Sequence, residues 1–175
     1  MKLPKKYEWL HNETAPRHLL KALELYGTTE ILGTQSNPVI MGWAQELGLK
    51  QYTNDDIPWC GALLGIIMHR AGRPVVKDPL WARNWSTFGV AVKEPMLGDV
   101  LVFSRDTGGH VGIYVGQSTT HYHVLGGNQN NQVSIVLIAK NRLIASRRPA
   151  YNVQPLNVRK IVIDSTGTIV STNEA

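Results

Sequence analysis

The apolar residues of this chain change their period part-way along. As far as Gly72 they recur every three or four positions; from Pro95 onward they come in short runs split by turn-forming residues. Helical spacing followed by strand-like runs admits few architectures. The pattern predicts an α+β fold, with N-terminal helices packed on a C-terminal antiparallel sheet, rather than alternating βαβ units.

Within the first part, Leu19, Leu20, Leu23 and Tyr26 predict a helix over residues 15–26, with Thr14 and Pro16 at its start and Gly27 at its end. Asn37-Pro38 reads as an N-cap followed by a first-turn proline. Behind it Ile40, Trp43 and Leu47 form one apolar stripe, which Gly48 closes. A third helix is predicted from about 56–58 to Ala71, ending at Gly72; apolar almost all round, it should be the central buried helix. The strand-like runs are 100–103, 111–115, 122–125, 133–139 and 143–146, which predict a meander. Residues 158–164 and 168–171, around Ser165-Thr166-Gly167, read as a C-terminal hairpin. With no repeat, low-complexity tract or linker, residues 1–175 are expected to form one domain.

Composition narrows the class. The chain is 43% hydrophobic and 18% charged, ordinary for a soluble globular protein. No stretch approaches the roughly 20 apolar residues of a membrane span, so no stable membrane insertion is expected. Met1-Lys2-Leu3-Pro4-Lys5-Lys6 leads into no apolar core, so the expectation is cytoplasmic synthesis without a Sec-type signal peptide. A net charge of +5 suits a polyanionic partner (nucleic acid, an anionic cell wall or a membrane surface) and equally suits a plain solvated basic surface. The single cysteine excludes an intramolecular disulfide.

Chemistry concentrates in three stretches. In Asp56-Ile57-Pro58-Trp59-Cys60-Gly61-Ala62 the proline is tolerated only in a first helical turn, which puts Cys60 at the N-terminus of the buried helix. The free N–H groups and dipole there favour a thiolate and are suited to hold an oxyanion. Gly61 leaves room for a substrate backbone. A buried structural cysteine is the competing reading. In 108–115, Gly108-Gly109 precedes His110, which opens a strand, the arrangement a general base for a helix-terminal thiol requires; a hydrogen-bonded structural histidine is the alternative. In 125–132, Leu125-Gly126-Gly127-Asn128-Gln129-Asn130-Asn131-Gln132, a side-chain amide is placed to accept the second imidazole N–H and fix its tautomer. An amide-rich hairpin loop explains the same residues.

Taken in order, PWCGA at 58–62, GDVLVF at 98–103, GHVGIYVG at 109–116 and VLGGNQ at 124–129 resemble the NlpC-like and CHAP (cysteine, histidine-dependent amidohydrolase/peptidase) group of papain-like peptidoglycan hydrolases. The likeness is to a bacterial and phage branch with PWC at the nucleophile and GGNQ after the histidine strand. Glu30, Gly33, Asn37-Pro38 and Ala82-Arg83-Asn84-Trp85 also fit that branch, and the resemblance covers about 15–149. It implies a papain-like fold, Cys60 as nucleophile, His110 as general base, and Asn128 as the orienting residue with Gln129 as its substitute. The CHAP pattern commonly has Glu in this last stretch, and this chain departs from it. The implied reaction is amide hydrolysis in the peptide stems of peptidoglycan through an acyl-enzyme, without a cofactor or metal, by a monomer. Trp59, Gly61, Trp85, Gly109 and Gln129 are the expected substrate contacts, with Trp81, Tyr122 and the loop around Arg83 also lining the cleft.

Two other classes compete. Cys60, His110, His121 and His123 offer metal-ligand atoms, although their spacing matches no common zinc motif. A non-catalytic basic module binding cell wall or nucleic acid is the other; no RNP, KH or zinc-finger signature accompanies it, and nucleic acid is not the expected partner. A small basic wall hydrolase without a signal fits a phage endolysin released by a holin, and fits second an antibacterial toxin injected by a secretion system.

Overall fold

The computed structural model describes residues 2–31, 33, 35–105, 108–163 and 169–170. After a 3-10 segment, Lys5–Asn12, come three helices: α1 (Arg17–Glu24), α2 (Pro38–Glu46) and α3 (Cys60–Arg70). Each follows from its local sequence. In α1, Leu19 and Ala22 bury their side chains together with His18. At the start of α2 the Asn37 side chain accepts the Val39 N–H at 2.8 Å, and Pro38 occupies the first turn. α3 is buried at every position from Cys60 to Met68. Full burial of Leu63, Leu64, Ile66 and Ile67 contributes roughly 1.5–3 kcal/mol per side chain. The helix begins a little later than residues 56–58 because the Asn54 side chain accepts the Asp56 N–H in a turn of its own, and Trp59 is the non-helical cap.

A second 3-10 segment, Ala82–Thr87, leads to the sheet. Its strands are β1 (Val90–Ala91), β2 (Val100–Arg105), β3 (Gly108–Gln117), β4 (His121–Gly126), β5 (Ser134–Ala139), β6 (Leu143–Arg148), β7 (Val162–Ile163) and β8 (Ile169–Val170). The spatial order is β1-β6-β2-β3-β4-β5 with all neighbours antiparallel. The chain is therefore α+β, with helices packed on a largely antiparallel sheet.

The meander holds only from β2 to β5. β6 crosses back to the free edge of β2, where two arginines pin it. Arg142 donates twice to the Ser104 carbonyl, at 3.0 and 2.8 Å, and Arg148 forks onto the buried Asp99 carboxylate at 2.9 and 2.8 Å. The two-residue β1, which the sequence pattern did not announce, pairs with β6. β7 and β8 form the expected C-terminal pair, although the turn at 165–167 lies outside the described residues. β7 also meets β3 in parallel at Gln117. That docking follows from Gly116, where a Cβ would lie 2.7 Å from Ile163, and from the Tyr114 hydroxyl, which donates to the Ile161 carbonyl at 2.9 Å.

β3 is buried from His110 to Gly116 without alternation, so both its faces are covered. It is the central strand against which α3 packs. This contact brings the start of α3 and the start of β3 together.

Candidate active site

Cys60 is the first residue of α3, and no side chain caps that helix end. The N–H groups of the first turn are consequently available. Cys60 is 5% exposed, and the Val111 N–H from β3 points to its sulfur, as do the N–H groups of Cys60 and Gly61. Burial pushes the thiol above its ordinary range, and these N–H groups oppose that shift. Val111 follows His110 on the same strand, so the thiol lies beside the strand that carries the histidine.

His110 is equally buried, at 5% exposure, and pairs across the sheet with Phe103. Burial holds its pKa below the usual histidine value; the Gln129 hydrogen bond opposes this, and the charges of Arg105 and Arg142 add to it. Its Nε2 lies 2.9 Å from the Gln129 Oε1. The Gln129 amide has only one orientation that satisfies its surroundings. Its Nε2 donates to the Ser134 carbonyl at 2.6 Å and to the Val124 carbonyl at 3.3 Å, so its oxygen must face the imidazole. An oxygen there requires His110 Nε2 to carry the proton. Nδ1 is then left with its lone pair, and it has no hydrogen-bond partner among the described residues. Thus the loop sets the tautomer.

This arrangement corrects the expected place of Asn128. Asn128, Asn130 and Asn131 all adopt left-handed backbone, at φ of 55, 53 and 60°, a conformation asparagine tolerates better than most residues. They build the turn, whereas Gln129 turns its side chain inward and is 6% exposed. A Cβ at Gly126 would lie 2.9 Å from the Gln129 oxygen, so the glycine makes room for it. The absence of Glu also has a physical reason: a carboxylate would set an oxygen against the Ser134 carbonyl, which needs a donor.

Several expected substrate contacts are committed to packing instead. Trp59 has no exposure; its indole N–H donates to Glu30 at 3.0 Å, and its ring fills the space over Gly127, where a Cβ would lie 2.6 Å away. Trp85 is likewise covered, donating to the Pro79 carbonyl at 3.0 Å. Gly61 makes room for the 79–80 backbone, since a Cβ there would run into the Pro79 carbonyl and come within 2.7 Å of that of Leu80. Gly109 lies against Ala82 and Arg83. The motif glycines and tryptophans thus assemble the site and leave the exposed Trp81 and Arg83 at its rim. Tyr122 belongs to an aromatic cluster with Phe103 and Tyr114.

Glu30 and Asn37, singled out in the sequence, act at one remove. The backbone from Gly27 to Glu30 bonds to that of Asn131 and Val133, and the Asn37 amide donates to the Thr29 carbonyl at 2.6 Å. Buried Asp55, which no motif marks, accepts the Ile31 and Asn37 N–H groups at 3.2 and 2.8 Å and fastens the same segment.

The proposed metal set does not converge. His123 Nδ1 is bonded to the Tyr7 hydroxyl and His121 Nδ1 to Thr120, each at 2.8 Å. Among the described residues no three His, Cys, Asp or Glu side chains come within reach of one ion. Nor is any described helix long and apolar enough to cross a membrane. A scan against protein-family models gives no match for the chain, and a search of curated proteins gives none either.

Proposed function

We propose that the chain is a cysteine hydrolase of the papain-like kind, cleaving amide bonds in the peptide part of peptidoglycan. The observation that carries this reading is the Cys60 thiol at an uncapped helix start, beside a strand whose histidine is held in one tautomer by Gln129. A structural cysteine needs neither an oriented imidazole beside it nor free helix N–H groups.

In this reading thiol and imidazole are both neutral at rest, because burial raises the one and lowers the other. His110 Nδ1 takes the Cys60 proton as sulfur attacks the amide carbonyl carbon. The C–S bond forms, and negative charge collects on the carbonyl oxygen, where the N–H groups of the α3 first turn stabilise it. The C–N bond then breaks, and the departing amine takes the proton from His110. Water, deprotonated by the same imidazole, attacks the thioester, releases the acid and restores the thiol. Gln129 keeps Nε2 protonated throughout.

The test is mass spectrometry of material released from purified sacculi by wild-type protein and by Cys60→Ala. The reading expects fragments with new peptide amino termini from wild type only. Equal release by Cys60→Ala, or none by wild type across sacculi of differing stem composition, removes it.

A further inference from the structure

We infer that Arg83 recognises a substrate carboxylate close to the amide attacked by Cys60, an inference resting on the hydrolase reading above. The segment from Pro79 to Arg83 spans the two halves of the site. Its Pro79 and Leu80 carbonyls seat on Gly61, next to the nucleophile, while Ala82 and Arg83 seat on Gly109, next to His110. The segment is held in that course by two side-chain bonds: the buried Trp85 indole to the Pro79 carbonyl, and the exposed Asn84 amide to the Asp78 carbonyl at 3.1 Å. Only Trp81 and Arg83 turn fully outward from it, Trp81 at 72% exposure.

The Arg83 side chain is aimed. Its Nε donates to the Gly108 carbonyl at 2.9 Å, and its Cγ would be 2.9 Å from a Cβ at Gly109. Its two terminal nitrogens make no hydrogen bond among the described residues. A guanidinium fixed at Nε keeps its outer fork for a bidentate acceptor, and carboxylate is the group that matches that fork. Among the described residues, the charges acting on Cys60 and His110 come from Arg105 and Arg142 and have the same sign. An anionic group is drawn to this mouth and a cationic one repelled. Trp81, exposed two positions before Arg83, offers apolar surface for the rest of the stem.

The probe is a matched pair: the stem peptide L-Ala-γ-D-Glu-L-Lys-D-Ala with both carboxylates free, and the same peptide with both as primary amides. Cleavage is measured as kcat/KM, and binding by calorimetry in a Cys60→Ala background, where nothing is turned over. Wild type should prefer the acid about tenfold to a hundredfold, as expected for charge-assisted hydrogen bonds. Arg83→Gln should bring that ratio near one, and Arg83→Lys, which keeps charge without the fork, should lie between. No preference in wild type, or an undiminished preference in Arg83→Gln, overturns the inference. If neither peptide is cleaved but Cys60→Ala binds the acid selectively and loses that selectivity with Arg83→Gln, the carboxylate site stands and the hydrolase reading falls. If neither is cleaved and neither is bound, both fall.

Discussion

Replacing Gln129 by Met removes the acceptor from His110 Nε2 while nearly preserving side-chain length. The buried Nε2–H then has no partner, which costs about 1–3 kcal/mol. The imidazole escapes that penalty by moving its proton to Nδ1 or by rotating, and in the proposed mechanism either change withdraws the base from Cys60. At about 1.4 kcal/mol per factor of ten, kcat should fall about tenfold to a hundredfold. Gln129 is nearly covered and touches the histidine rather than the cleft, so KM should stay within about threefold. The Ser134 and Val124 carbonyls lose donors too, so thermal melting must be recorded and rates taken well below the transition. The assay is stem-peptide hydrolysis followed by new amino termini, with Asn128→Ala as the control. Asn128→Ala disturbs a left-handed turn position, worth about 1–2 kcal/mol of stability, and should leave kcat within about twofold. A near-normal kcat in Gln129→Met beside a tenfold loss in Asn128→Ala would refute the tautomer argument.

Iodoacetamide should alkylate Cys60 faster as pH rises, with a midpoint above that of an ordinary thiol, because burial raises its pKa; a midpoint well below pH 8 contradicts the neutral resting pair. The acid limb of the kcat/KM profile should lie below pH 6.5, since His110 must be neutral to act and its pKa is lowered. Gly61→Ala should destabilise the fold by about 1–3 kcal/mol through overpacking against the Pro79 and Leu80 carbonyls, read as a lower urea midpoint; an unchanged midpoint means the segment lies elsewhere. His18, buried with its pKa lowered to about 4, contributes stability that is present above about pH 6.5 and lost as pH falls toward 4. The loss should be about 3 kcal/mol by denaturant titration and should be absent in His18→Gln, and equal pH dependence in both proteins would count against it.

The fold was legible wherever period or punctuation spoke. α2 is announced by Asn37-Pro38, and α3 by its apolar run, because caps and burial are local or one-dimensional signals. The return of β6 to β2 was not, since it depends on Arg142 and Arg148 finding partners far away in sequence. In the candidate site, the placement of Cys60 at a helix start and of His110 near the opening of a strand was readable from Pro58 and from Gly108-Gly109. The distinction between Asn128 and Gln129 was also present in the residues, unread. Three asparagines in one loop have a backbone reason to be there, and the glutamine among them has none, which marks it as the side chain with another task. Trp59 and Trp85 misled for a general reason: a tryptophan next to a motif can line a cleft or wedge elements together, and only burial tells which.

The wedge of Trp59 over Gly127 has a practical consequence for anyone recombining such chains. Trp59, at the start of the Cys60 helix, and Gly127, in the amide loop, are separated by more than sixty positions, yet they interlock as ring and socket, with Glu30 as the latch on the indole. A chimera that imports one without the other inherits either a void or a collision at the joint, and the misfit is transmitted directly to the imidazole. The transferable cassette is therefore three discontinuous pieces, the Glu30 segment, the Trp59-Cys60 turn and the Gly126–Gln129 stretch, and a crossover between any two of them should uncouple folding from turnover.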